Sequence, residues 1–327
     1  AISITRIYGA GVYGLVSLSF ALFIIGGILG RMGLDINLVR FYASAENLGE
    51  RGIFYKVLFK SLLFSGVLGF AMYFFRESIA VGLFKKPQLE PYIFWTALAL
   101  PFWALTMLSG GVLRARKKNK WFAFLNNPGR FFFSFALLIV FWALLDDPLS
   151  AIKAHFFGVA ALGLMGLVMA IKTLEGLSMK TRVNSWGFLR DALPMMLSST
   201  ILVLLGWLDT FVLGIYESDE QIGIYNAALK IATLTSFSLQ AINSILAPKL
   251  ADLYARKEMN KFHTQSGFTA KLNFFLTLGV VVVILLLHPW ILGIFGHVFV
   301  TGSGILIVLC LGRSEERRVG KECATGC

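Results

Sequence analysis

Charged side chains make up only 15% of this chain, and the acidic ones are the scarcer, 18 against 30 lysines and arginines. A soluble domain usually carries about 25% charge and roughly 45–50% apolar residues. Here the hydrophobic share is 57% and the mean hydropathy +0.74, so an ordinary soluble globule is excluded. Cysteine is nearly missing too. Its three copies, Cys310, Cys323 and Cys327, all lie at the C-terminal end and offer neither a disulfide framework nor a metal-ligand spacing. The four histidines, His155, His263, His288 and His297, form no metal pair, and no glycine-rich loop ends in Gly-Lys-Ser or Gly-Lys-Thr. No stretch between apolar runs is long enough for a soluble catalytic domain. A non-enzyme with no cofactor, no metal and no catalytic residue is expected.

What the sequence has in abundance is long apolar runs: Leu15–Leu29, Val57–Phe74, Ile93–Leu113, Phe131–Leu145, Phe156–Ile171, Leu193–Leu213, Ile222–Leu246, Leu272–Leu287 and Val298–Leu311. A membrane-crossing helix needs about 20 such residues. These runs are too long for barrel strands and do not alternate, and helix satisfies the backbone inside hydrocarbon. The expectation is an all-α polytopic membrane protein with about nine or ten spans.

The formal charge of +12 and pI near 9.7 do not imply nucleic acid here, because the basic residues cluster in short loops. Arg114, Arg116, Lys117, Lys118 and Lys120 form one cluster; Lys172, Lys180, Arg182 and Arg190 another; Lys249, Arg256, Lys257 and Lys261 a third. They alternate with the acidic Asp146-Asp147-Pro148 and Glu217-Ser218-Asp219-Glu220. The Lys/Arg bias puts the basic set in the cytoplasm, with Arg40, Arg51 and Lys56, and the acidic set outside.

Internal repetition adds organisation. Gly11-Val12-Tyr13 recurs as Gly223-Ile224-Tyr225, and at the same offset Leu34, Leu38, Tyr42 and Ala43 recur as Leu246, Leu250, Tyr254 and Ala255. An even number of spans separates the copies, which makes the repeat parallel, about an axis along the membrane normal. The expected layout is an N-terminal lobe over 1–172, a cytoplasmic interlobe linker over 173–190 and a partial C-terminal lobe over 191–312. Residues 313–327 resemble the in-frame translation of a sequencing adapter and are set aside as a non-native tail. The first residue is not Met and no signal-peptide pattern follows, so the chain is read as truncated at both ends.

The Gly-Xaa-Tyr step before a span, Gly33-Leu34 leading to Arg40-Phe41-Tyr42-Ala43, the loop running into Lys120-Trp121-Phe122-Ala123-Phe124-Leu125-Asn126, and Leu208-Asp209-Thr210 followed by Gly223-Ile224-Tyr225-Asn226 resemble the polysaccharide biosynthesis, or oligosaccharide flippase, family. That family belongs to the multidrug/oligosaccharidyl-lipid/polysaccharide exporter superfamily. The resemblance covers nearly all of residues 1–312. It implies two six-helix lobes around a central cavity, of which this chain lacks most of the first helix and the last two or three. It also implies a flippase that moves a lipid-linked oligosaccharide, a polyprenyl-pyrophosphate glycan, from the inner to the outer leaflet of the inner (plasma) membrane by alternating access. Membrane lipid and other glycan-assembly proteins are the expected partners. The alternatives are a multidrug or organic-cation antiporter of the same superfamily and a membrane-embedded glycan polymerase or ligase.

Ionisable residues within spans are the candidate site, because a charge at membrane depth costs a few kcal/mol unless it faces protein or water. Asp209 lies near the outer end of its run, on one face with Ser198. Asn226, Lys230, Thr233, Gln240 and Ser244 share a face of the next helix, the pattern of a wetted surface. Asp209 and Lys230 could simply neutralise each other, or Lys230 could meet an anionic substrate. Arg130 is deep in its helix if the span starts at Trp121, and interfacial if it starts at Pro128. Arg40 is an orientation signal or a contact for substrate. In the flippase reading Arg130 and Lys230 meet the pyrophosphate, and Asn126, Asn127, Gln240 and Asn243 meet sugar hydroxyls.

Overall fold

The computed structural model describes residues 1–126, 128–144, 147–176 and 180–312. Every described regular element is helical. In order these are α1 (Ile2–Arg31), α2 (Leu34–Ala43), α3 (Arg51–Phe74), α4 (Glu90–Ala115), α5 (Asn119–Asn126), α6 (Pro128–Leu144), α7 (Ser150–Thr173), α8 (Ser185–Tyr216), α9 (Asp219–Ala255) and α10 (Met259–Gly293). A last apolar helical segment, α11, covers His297–Gly312. The described residues of all nine apolar runs fall on these helices.

Six of the helices are individually long and apolar enough to cross a membrane, or seven when the bent pair α5–α6 is taken as one span. The expected number was nine or ten, and the difference has two sources. Helix α9 is long enough, but its sequence is diluted by Thr, Ser, Asn and Gln, and α11 is short.

The chain groups into two compact units, Leu15–Ser218 and Ala1–Gly14 with the residues from Asp219 on. In the larger unit α4 is the central helix, packed against α2, α3, α5 and α7. Small residues make this close packing possible. A Cβ on Gly163 of α7 would stand 2.8 Å from the Phe102 carbonyl oxygen of α4. In a lipid setting such backbone approach stands in for the hydrophobic drive that water would otherwise supply.

The segment after α7 is tied to the start of α3. Arg51 Nη2 meets Glu175 Oε2 at 2.7 Å, and Tyr55 donates to the Gly176 carbonyl at 2.8 Å. Glu50 Oε2 accepts from Thr181 Oγ1 at 2.6 Å and from the Arg182 amide at 3.1 Å. These donors, Thr181 first, hold the Glu50 carboxyl below the usual glutamate range. Asn184 then caps α8, its Oδ1 accepting from the Trp186 amide.

In the smaller unit the first residues of α1 pack with α9, α10 and α11 around Tyr13, Ile224, Ala227, Ala228, Ile231 and Phe299. Gly14 and Gly223 are the points of closest approach. A Cβ on Gly14 would sit 1.9 Å from the Asp219 carbonyl oxygen, and one on Gly223 would sit 2.1 Å from that of Ala10. Arg6 crosses to the end of α10, donating to the Gly293 and Ile294 carbonyls at 2.8 and 2.7 Å, where the helix leaves acceptors unsatisfied.

Candidate functional site

Helix α6 begins at Pro128, which has no amide proton to lose and a φ already suited to a first turn. The pair α5–α6 is bent by 50° and is long enough to span only when taken together. Yet Arg130 does not snorkel to an interface. It is 4% exposed. Gly129 beside it explains how: a Cβ there would lie 2.7 Å from Leu162 Cδ1 and 2.8 Å from the Phe124 carbonyl oxygen. Without that side chain, the first turn of α6 settles between α5 and α7 and turns Arg130 inward. A second close approach, Gly158 of α7 against Ser134 of α6, holds the two helices in this register.

Arg130 enters an aromatic cage. Its guanidinium carbon is 4.9 Å from the ring of Phe20 on α1, 4.9 Å from Trp103 on α4 and 4.7 Å from Phe131. These are cation–π distances, and ring faces are among the few apolar surfaces that offset part of a cation's lost hydration. His155 of α7 shares the Phe20 ring, edge-on at 5.7 Å, and meets Phe23 at 4.9 Å. Its buried Nε2 finds no hydrogen-bond partner among the described residues. Trp207 of α8 closes the cluster at 5.4 Å from Phe20. Helices α1, α4, α6, α7 and α8 of the larger unit thus converge on one buried guanidinium and one imidazole. Both can donate hydrogen bonds to an anionic oxygen.

The other candidates are dispersed. Asp209, half-buried on α8, accepts from the Thr210 amide at 2.7 Å and belongs to the larger unit. Lys230 belongs to the smaller unit and is exposed, its Nζ 5.1 Å from the ring of Tyr13. Tyr13 is 1% exposed and its hydroxyl has no hydrogen-bond partner among the described residues. Asn226, on the Lys230 face of α9, is buried and donates to the Ile222 carbonyl at 3.0 Å, so that face is not uniformly wetted. Asn126 ends α5 and Arg40 lies in the last turn of α2, and both are exposed. Asn127 and the side chains of Gln240 and Asn243 lie outside the described residues.

His155, Phe20, Trp103 and Trp207 escape the sequence reading. His155 registers there only as a histidine without a metal partner, and the rings do not register at all. No spacing signal links them, because each comes from a different helix. Among the described residues no cluster of His, Cys, Asp and Glu could hold a metal ion.

The model of the family described as polysaccharide biosynthesis protein matches residues 1–254, and the chain belongs to that family. Among solved structures it is similar to an inward-facing conformation of a multidrug resistance MATE family transporter of the MOP superfamily. The identity is 18% and the TM-score 0.66, over 95% of this chain and 76% of that one. The likeness shows a shared fold: an all-helical, multi-pass membrane architecture. No curated protein sequence matches significantly.

Proposed function

We propose that this chain, a member of the polysaccharide biosynthesis protein family, is an exporter of the inner membrane that carries a lipid-linked oligosaccharide from the cytoplasmic to the outer leaflet. The observation that supports this substrate most is the caged Arg130. A pyrophosphate carries two or more negative charges that must pass a region of low dielectric, and charge-assisted hydrogen bonds to phosphate are strongest where water is scarce.

The magnitudes are comparable. A desolvated ring contact contributes about 2 kcal/mol or more to holding a cation, and a hydrogen bond to a charged group about 1.5–3 kcal/mol. A bidentate phosphate contact is therefore of the same order as two of the three ring contacts, and it gains most where Arg130 meets the head group while still against its rings. Lys230, exposed beside Tyr13 in the smaller unit, is a further cation available to an anionic substrate. Asn126, with Asn127, Gln240 and Asn243, supplies contacts to sugar hydroxyls.

A multidrug exporter is the second reading, favoured by the likeness of fold to the multidrug transporter. Aromatic cages do suit organic cations. In this one, however, the three ring contacts are already made by the guanidinium of Arg130, which would repel a second cation. A glycan polymerase or ligase ranks third, for want of any catalytic constellation in the sequence. Complementation of a strain lacking its glycan flippase, scored by surface glycan, tests the assignment. Restored glycan supports it, and restored drug resistance without glycan overturns it.

A further inference from the structure

A groove of about 480 Å3 opens at one end of the larger unit, away from the Arg130 cage. The ends of α4 and α7 form it together with Trp121 of α5. Lys118 and Lys172 stand at its polar end, and Leu164, Met165 and Val168 line its apolar length. The basic clusters that contain these two lysines are cytoplasmic by the Lys/Arg bias. Their meeting in one groove agrees with that orientation, since the two loops are separated in sequence by a pair of spans. Among the described residues no acidic one lines the groove, and Glu175, the next acidic residue along the chain, is paired with Arg51.

The lining sorts by depth as a membrane leaflet does. Trp121, Leu164 and Val168 are exposed large apolar side chains, suited to hydrocarbon and the interface rather than to water. A small soluble anion would use the two ammonium groups and gain nothing from the apolar floor. A neutral chain would use the floor and leave the lysines without a counter-charge.

We propose that this groove binds an anionic glycerophospholipid of the cytoplasmic leaflet, its phosphate between Lys118 and Lys172 and the start of one acyl chain along Leu164, Met165 and Val168. Lysine is a compact point charge well suited to phosphate, and methionine adapts to a flexible chain. The site is independent of the transported substrate.

The test is thermal unfolding of the purified full chain in neutral detergent, titrated with phosphatidylglycerol, phosphatidylcholine or free glycerol phosphate. Phosphatidylglycerol should stabilise the protein at concentrations about tenfold below phosphatidylcholine, and the Lys118→Gln/Lys172→Gln variant should lose that preference. Lys249→Gln/Lys261→Gln, which removes equal charge elsewhere, should keep it. Equal effects of the two lipids, or a preference that survives Lys118→Gln/Lys172→Gln, overturn the proposal. Stabilisation by glycerol phosphate as strong as by the lipid overturns it in favour of a soluble-anion site. Should the double variant fail to fold, phosphatidylglycerol with brominated chains gives a second readout. It should quench tryptophan emission of the wild type more than that of Trp121→Phe, and equal quenching overturns the proposal.

Discussion

The guanidinium carbon of Arg130 lies 4.9 Å from the indole of Trp103, on a helix that reaches it from the centre of the larger unit. The guanidinium is held against rings and out of water.

Replacing Arg130 with Ala or with Lys should abolish transport while leaving the protein in the membrane. Lysine keeps the charge but neither stacks flat on Trp103 nor grips a phosphate with two parallel bonds. Surface glycan in a complemented strain, normalised to membrane-extracted protein, measures both effects. Wild-type glycan with Arg130→Lys would show that charge alone suffices.

Trp103→Phe should retain most activity, because a ring remains beside the guanidinium, whereas Trp103→Leu should lower transport about tenfold or more. Trp103 is also buried against Phe23, so both variants are to be compared at equal folded protein, judged by size-exclusion profile.

Lys230 is exposed, and its contact with the Tyr13 ring is worth about 0.5–1 kcal/mol at such a site. Lys230→Ala should therefore change the unfolding temperature by only a few degrees and yet abolish transport. Lys257→Ala, in the turn between α9 and α10, should do neither. Normal transport by Lys230→Ala would remove that residue from the mechanism.

Gly14→Ala and Gly223→Ala should each destabilise the protein by about 1–3 kcal/mol or prevent its accumulation, since overpacked contacts must be relieved by backbone shifts. Gly11→Ala should be tolerated, because the nearest atom to its Cβ is 4.0 Å away. Thermal unfolding in detergent separates the three.

The tie between Glu50 and Thr181 should be pH-dependent in one direction. Hydrogen bonding lowers the folded pKa of Glu50 below the ordinary value of 4.5, so the tie is fully present above that value. It is lost as pH falls through the lower folded value. Hydrogen exchange at the Arg182 amide should show protection down to about pH 4.5 that fades in more acid solution. Glu50→Gln should make that protection independent of pH.

The helices were legible because each apolar run is long enough to identify itself, and Pro128 openly offered a second start for the span that holds Arg130. Its burial was not legible. That depends on Gly129 being small where Leu162 and Phe124 press close, a fact of three helices rather than of one. The cage was hidden for a related reason: Phe20, Trp103, His155 and Trp207 have no common period or motif. The repeated Gly-Xaa-Tyr step was visible, but the glycine that makes the tight contact near it is Gly14, one place past the motif, while Gly11 stands clear. Asp209 belongs to the larger unit and Lys230 to the smaller.

The approach of Gly14 to Gly223 also sets a timetable for biogenesis. Roughly 200 residues separate them, so at 5–20 residues per second the ribosome needs ~10–40 s to deliver the second glycine after the first. Through that interval the leading turns of α1 have no partner for their tightest contact, although the rest of the same helix can already dock on α4 and α7. This early segment is thus among the last to find its place. A chaperone or insertase that shelters it during synthesis would matter more to the yield of this protein than to one whose early helices pack with their immediate successors.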